Sequence, residues 1–165
     1  MADPRLKPYG VAAAVFALDR LTKWFIDAHV SFADTCKVIP GLFDIVHSEN
    51  RGMAFGLFDD STYEWRTALL VAFSLAAIGI MSVFLWKGRE RLDRLSQFGF
   101  ALIMGGAAGN VFDRIVWGRV TDFLLFYIGE HQWPAFNLAD SAISVGGGLM
   151  LVDLLRSKRQ ATNVS

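Results

Sequence analysis

The chain has 165 residues, of which 53% are hydrophobic, and its formal net charge is zero. A mean hydropathy of +0.37 is too apolar for an ordinary soluble domain of this length, which indicates a small integral membrane protein. The balanced charge provides no basic surface for nucleic acid, so no nucleic-acid partner is expected. The only cysteine, Cys36, excludes an intramolecular disulfide.

Apolar segments of near-membrane length predict an all-α membrane protein with four transmembrane helices. The first segment is interrupted by charge and begins like a signal peptide, but Asp19, Arg20 and Lys23 stand where a cleavage site would be expected. We therefore interpret it as a retained helix. The four predicted spans cover residues at about 9–26, 65–86, 98–117 and 137–155.

Basic residues mark one side of this predicted bundle. They precede the first helix, crowd the connector after the second and follow the fourth: Arg5, Lys7, Lys87, Arg89, Arg91, Arg94, Arg156, Lys158 and Arg159. The positive-inside rule places both termini in the cytoplasm and the first and third connectors outside. We expect residues 1–165 to form a single integral membrane domain.

The first connector, about 28–64, is longer than a plain loop. Pro40-Gly41 is a turn signal, and the β-branched and aromatic residues of 42–47 that follow are typical of a strand. We expect a small β-rich subdomain between helices 1 and 2, lying on the outer face of the membrane.

Two aspartates flank the third connector, each where a helix should meet water. Carboxylates near hydrocarbon are costly, so Asp122 and Asp140 predict a functional site, and an antiparallel hairpin would set them side by side. Two adjacent carboxyl groups share one proton, which is the chemistry of aspartic proteases and needs no metal and no cofactor. A helix N-terminus favours charge at Asp140, so we expect Asp140 as the base and Asp122 as the acid.

Asn137, Asp140 and Ser141 share one face of the predicted fourth helix. The same spacing also suits a purely structural role, in which Asn137 caps the helix and Asp140 lies in its first turn. On its own this motif favours the capping role, and the polar residues of the third helix shift the balance towards a functional site.

Polar residues on the third and first helices need partners inside the bundle. Asn110, Asp113 and Arg114 face a bundle interior or a wet cavity. Adjacent helix positions do not face each other, so Asp113 and Arg114 are each expected to pair elsewhere. Asp19 and Lys23, four residues apart, could neutralise each other in a structural or a functional pair.

Small residues indicate where helices approach closely. Gly105 and Gly109 form a small-xxx-small pair on the third helix, and Ala142 and Gly146 form one on the fourth. We interpret both pairs as packing positions.

Together these motifs resemble the lipoprotein signal peptidase family, also called signal peptidase II, over about residues 18–148. The matching stretches are Leu18-Asp19 with Lys23; Asn50, Gly52 and Ala54-Phe55-Gly56; Gly105 to Asn110 with Asp113-Arg114; Gly118 to Phe123; and Pro134 to Ser141. Arg20 stands where glutamine is common in the family. The order and spacing of these stretches across four predicted spans make the resemblance specific.

The resemblance implies a bacterial inner-membrane aspartic endopeptidase that removes the signal peptide from diacylglyceryl-modified prolipoproteins, cutting before the lipidated cysteine. It implies Asp122 and Asp140 as the catalytic pair near the periplasmic face. It also implies substrate-binding or supporting roles for Asp19, Lys23, Asn50, Gly52, Phe55, Asn110, Asp113, Arg114, Asn137, Ala139 and Ser141. Expected partners are the prolipoprotein, membrane lipid and cyclic peptide inhibitors of the globomycin type, and we expect a monomer.

Other functions remain as alternatives. His29, His47 and His131 are scattered, so a zinc peptidase is not expected. A small proton-coupled transporter would also carry intramembrane charges, but it predicts charges spread through the membrane depth and a repeat. An assembly factor with structural polar contacts would tolerate conservative changes at both aspartates.

Overall fold

The computed structural model describes residues 6–52, 63–88 and 92–162. In chain order the elements are α1 (Lys7–His29), β1 (Thr35–Ile39), β2 (Phe43–Asn50), α2 (Tyr63–Lys87), α3 (Arg94–Val116), β3 (Val120–Ile128), β4 (His131–Gln132) and α4 (Leu138–Thr162).

Each predicted apolar segment corresponds to one helix, but the helices are longer than the apolar segments. Helix α4 continues to Thr162, although the predicted span ends at 155. Helix α3 begins at Arg94 rather than near 98, because the Asp93 side chain accepts a hydrogen bond from the Arg94 amide and caps the helix there. Hydropathy locates the apolar part of a helix, whereas backbone hydrogen bonds and caps determine its ends.

Three helices of the described residues are long and apolar enough to cross a membrane: Trp65–Lys87 in α2, Arg94–Val116 in α3 and Leu138–Ser157 in α4. Helix α1 is not among them, because charged side chains interrupt its sequence. In α3, 61% of the apolar stretch is buried, compared with 6% of the apolar stretch in α2. Helix α3 is therefore the centre of the bundle, whereas few residues of the α2 stretch are fully buried.

Glycines let α1 and α4 approach α3. A Cβ at Gly105 would meet the Ala12 carbonyl of α1 at 2.5 Å, and one at Gly109 would meet the Asp19 side chain. A Cβ at Gly146 of α4 would lie 2.6 Å from the Gly99 carbonyl of α3. Both distances are too short for a real side chain. The predicted packing role of these glycines is confirmed.

The sheet differs from the prediction. Its strand order is β1-β2-β3-β4, and all neighbouring pairs are antiparallel. The predicted strand at 42–47 is present in β2, but β3 and β4 come from the connector between α3 and α4. The expected β structure between helices 1 and 2 is present as β1 and β2, but the prediction did not include the two strands from the other connector. Pairing of β2 with β3 ties the two connectors into one sheet at one end of the bundle.

The register between β2 and β3 determines which side chains of β2 lie beside Asp122. Ser48 of β2 is opposite Asp122 of β3, and Asn50 is opposite Val120. Side chains two residues apart on a strand share a face, so Asn50 lies diagonally beside Asp122. The first residues of β3 are buried and its later residues are more exposed, so the strand begins inside the protein and runs outward.

Candidate active site

Asn137 caps α4 and joins the two aspartates. Its side-chain oxygen accepts a hydrogen bond from the Asp140 amide at 3.0 Å, and its own amide donates to Asp140 Oδ2 at 3.3 Å. This reciprocal pair is a capping box in which aspartate takes the place of glutamate. The Asn137 Nδ2 group then donates to Asp122 Oδ1 at 2.7 Å. Asn137 therefore both caps α4 and contacts Asp122.

Asp122 is held on β3 by amide donors. Its side chain accepts hydrogen bonds from the side chains of Asn50 and Asn137. Only 3% of the residue is exposed. Donors from β2 and from the start of α4 thus fix the carboxylate from two sides, which requires the sheet and the bundle to be assembled together.

Asp140 is held from α3. The Asn110 Nδ2 group donates to Asp140 Oδ1 at 2.8 Å, and Asn110 Oδ1 lies 3.4 Å from Asn137 Nδ2. Asn110 therefore contacts both Asp140 and the residue that binds Asp122. The structure brings together the two predicted aspartates and the asparagines at 50, 110 and 137.

Burial and a like charge raise the pKa of Asp122 from 3.8 to about 6. Loss of hydration is the main cause, and the neighbouring Asp140 carboxylate adds to it. Hydrogen bonds from Asn50 and Asn137, and the charge of Lys23, act in the opposite direction. Asp122 therefore retains a proton more readily than an ordinary aspartate.

Beneath this aspartate pair, Lys23 is fully buried at 0% exposure and meets three acceptors. Its Nζ atom lies 2.9 Å from Asp19 Oδ2, 2.7 Å from Asp113 Oδ2 and 3.0 Å from Asn110 Oδ1. The contacts with Asp19 and Asn110 are hydrogen bonds, and the contact with Asp113 is an ion pair. The predicted Asp19–Lys23 pair is present, and Lys23 connects it to α3.

Asp19 and Asp113 have further partners. Asp19 Oδ1 accepts a hydrogen bond from the Ala139 amide at 3.0 Å, which fixes the first turn of α4 against α1. Arg20 Nη1 forms an ion pair with Asp113 Oδ1. The prediction that Asp113 pairs outside its own helix is confirmed. We call Asp19, Arg20, Lys23 and Asp113 the ion cluster.

The remaining predicted residues contact the asparagines that bind the aspartate pair. Arg114 Nη1 donates a hydrogen bond to the Asn110 backbone carbonyl at 3.2 Å, and the Ser141 hydroxyl donates one to the Asn137 backbone carbonyl at 2.9 Å. Gly52 has a φ of 84°, where glycine is favoured, and its amide donates to Asn50 Oδ1 at 2.8 Å. Phe55 lies outside the described residues.

One set of contacts was not anticipated from the sequence. The Thr121 hydroxyl, next to Asp122, donates to Asp27 Oδ1 at 2.9 Å. His47 Nε2 lies 3.3 Å from the same oxygen, and His47 Nδ1 donates to the Val30 carbonyl at 2.7 Å. These groups come from α1, β2 and β3, so no local sequence spacing could reveal them. Arg20, noted only as a departure from the family pattern, also acquires a role through its pair with Asp113.

Comparisons with known proteins agree with this architecture. A family model described as signal peptidase (SPase) II matches residues 11–156. The lipoprotein signal peptidase of Solibacter usitatus is 60% identical over the full length of both chains. That of Nitratidesulfovibrio vulgaris is 45% identical over 89% of this chain and 88% of its own.

Solved structures show the same fold. Two structures described as bacterial membrane enzymes superpose with TM-scores of 0.77 and 0.75, at 26% and 27% identity. They cover 92% and 90% of this chain, which in turn spans 88% and 92% of theirs.

A bundle with three apolar spans and a small sheet, sharing its fold with membrane enzymes, defines a multi-pass membrane enzyme. Within that class the chain belongs to the signal peptidase II family, whose members are proteases. Membership in a family of proteases disfavours both the proton-coupled transporter and the assembly factor.

Proposed function

We propose that this protein is an aspartic endopeptidase that removes signal peptides from prolipoproteins, cutting before a cysteine that carries diacylglycerol. The relatives named lipoprotein signal peptidase support this class of substrate. The aspartic type of catalysis is supported by the position of Asn137, which joins the two aspartates. It binds Asp122 through Nδ2 and Asp140 through its backbone amide and Oδ1.

In the proposed mechanism Asp122 holds the proton and Asp140 is ionised. Asp140 removes a proton from a water molecule, which attacks the scissile carbonyl carbon, while the Asp122 proton hydrogen-bonds to the carbonyl oxygen. The tetrahedral intermediate then collapses as the proton that Asp140 took from water passes to the leaving nitrogen, and Asp122 keeps its own proton. The raised pKa of Asp122 supports its role as the acid. The amides of Asn110 and Asn137 orient the Asp140 carboxylate.

We further propose that α1 is a fourth transmembrane span. Its charged Asp19 and Lys23 are fully buried inside the bundle, so they need no contact with lipid. The exposed large side chains of α1 are apolar over the same region, including Leu18, Leu21 and Trp24. The sequence of α1 is interrupted by charge, but its outward surface suits hydrocarbon.

The membrane placement belongs to the same proposal. We propose that both termini lie in the cytoplasm and that the sheet end of the bundle lies at the periplasmic face of the inner membrane, a placement that the positive-inside rule supports. An acyl-anchored cysteine beside an apolar signal helix would then present its scissile bond at the depth of the aspartate pair. We expect globomycin-type peptides to compete for this position and the protein to act as a monomer.

The test is cleavage of a purified, diacylglyceryl-modified precursor. General acid–base catalysis contributes about 10²–10⁴-fold, so Asp122→Asn and Asp140→Asn should each lose at least about 100-fold in rate. Asp44→Asn is the matched control: Asp44 is also a buried carboxylate of the sheet, but it contacts the Tyr127 hydroxyl. It should keep most of the activity.

Substantial turnover by either variant of the pair would overturn the assignment, provided that each folds like wild type. EDTA should leave the rate unchanged. A precursor without the diacylglycerol should be cut poorly, and equal cleavage of both precursors would contradict the proposed substrate while leaving the catalytic pair intact.

A further inference from the structure

At the end of the bundle opposite the sheet, a cavity of about 310 Å³ opens between the first turns of α1 and α3. The residues that line it are of two kinds. Lys7, Arg94 and Gln97 supply polar groups, and the apolar wall consists of Pro8, Val11, Phe98 and Ala101. The two helices run parallel here, since Ala12 meets Gly105 and Asp19 meets Gly109 further along. Their starts therefore lie side by side.

The charge of this cavity is positive. Lys7 and Arg94 are exposed, and among the described residues no carboxylate forms an ion pair with either of them. The first turns of α1 and α3 contain no acidic residue. The nearest carboxylate in sequence, Asp93, accepts a hydrogen bond from the Arg94 amide at 2.6 Å. Two cations therefore stand at the mouth of a cavity with an apolar wall.

We propose that this cavity binds an anionic phospholipid. The phosphate accepts hydrogen bonds from the Lys7 ammonium and the Arg94 guanidinium, and the start of an acyl chain lies along Val11 and Phe98. Basic pockets between transmembrane helices are suited to anionic head groups, because a phosphate meets cations while its chains stay in hydrocarbon. A soluble anion would gain nothing from the apolar wall, and a zwitterionic lipid carries its own cation. The site is separate from the aspartate pair, so it does not depend on the proposed catalysis, but it rests on the proposal that α1 spans the membrane.

The experiment measures lipid binding to the full-length protein by native mass spectrometry from a neutral detergent. The probes are phosphatidylglycerol, phosphatidylcholine with the same acyl chains, and inorganic phosphate. Wild type should bind phosphatidylglycerol most tightly. Each basic residue near an anionic surface contributes about fivefold, so Lys7→Gln/Arg94→Gln should raise the Kd for phosphatidylglycerol roughly 25-fold.

The matched control is Lys87→Gln/Arg156→Gln. It removes the same charge from the same end of the bundle, because α2 ends and α4 passes there: Ser96 of α3 donates a hydrogen bond to Asp153 of α4. Neither Lys87 nor Arg156 lines the cavity. This control should keep the wild-type Kd within about threefold, less than the effect of one basic residue.

Three results would overturn the proposal. Equal weakening by both double variants would show a general surface attraction, and equal binding of phosphatidylcholine would show that the charge is irrelevant. Displacement of the lipid by inorganic phosphate at a similar concentration would show a simple anion site. Weakening confined to Lys7→Gln/Arg94→Gln, with phosphatidylglycerol preferred over both other probes, supports it.

Discussion

Two groups of acidic side chains lie close together in this bundle, and they are stabilised in different ways. In the ion cluster, Asp19 and Asp113 face Lys23 and Arg20, so each carboxylate meets a cation. In the aspartate pair, Asp122 and Asp140 accept hydrogen bonds from amide groups and lie near each other. The carboxylates of the ion cluster are therefore matched by opposite charges, whereas those of the aspartate pair are oriented by neutral amide donors. The comparison indicates that the first group holds the helices together, and it supports the proposal that the second carries the chemistry.

The largest stability effect is expected in the ion cluster. Lys23→Met keeps most of the side-chain volume but leaves Asp19 and Asp113 buried without their shared cation. Breaking a buried pair by removing one partner costs about 3–5 kcal/mol. Unfolding in a mild detergent should show that loss, whereas the exposed Lys87→Met should change the unfolding free energy little. A stable Lys23→Met protein would remove the distinction between the two groups.

A smaller effect is expected at Asn137, and there capping and chemistry can be separated. Serine also caps helices well, so Asn137→Ser keeps an oxygen for the Asp140 amide but lacks the Nδ2 donor to Asp122. The unfolding free energy should fall by only about 1 kcal/mol, in the range of a single hydrogen bond. The cleavage rate should fall about 10–100-fold, since loss of one orienting donor misplaces a catalytic group.

Asn137→Ala removes both the cap and the donor, and it should lose stability as well as rate. If Asn137→Ser cleaves as fast as wild type, the contact with Asp122 is structural only.

The smallest effect is expected at Thr121. Thr121→Val removes the hydroxyl that donates to Asp27 and loosens the strand just before Asp122. Because this residue positions Asp122 rather than touching substrate, kcat should fall severalfold while KM stays unchanged. Thr121→Ser keeps the hydroxyl and should restore kcat. A change in KM alone would place Thr121 in substrate binding instead.

Much of this architecture could be predicted from the sequence, because its signals are local. Apolar length located the helices, and helical spacing placed Asn137, Asp140 and Ser141 on one turn. The close helix approaches followed from Gly105 and Gly109, since small residues are what such contacts require.

The contacts that were missed join distant parts of the chain. Pairing of β2 with β3 depends on two connectors meeting in space, and the content of 120–128 alone did not reveal a partner strand. Arg20 meets Asp113 across two helices, and Thr121 meets Asp27 across a helix and a strand. The sequence identified each side chain but gave no distance between them.

The central claim is that the aspartate pair shares one proton, held mainly by Asp122, and infrared spectroscopy of the carboxyl groups tests it most directly. Burial and the charge of Asp140 raise the pKa of Asp122 to about 6, so a protonated carboxyl band should persist at pH 5 and disappear as the pH rises through about 6. The component that titrates near pH 6 should be absent in Asp122→Asn. In Asp140→Asn it should titrate at a lower pH, because a negative neighbour has been removed. A component titrating near pH 6 that survives in Asp122→Asn, or a wild-type spectrum with both carboxylates ionised at pH 5, would contradict the account.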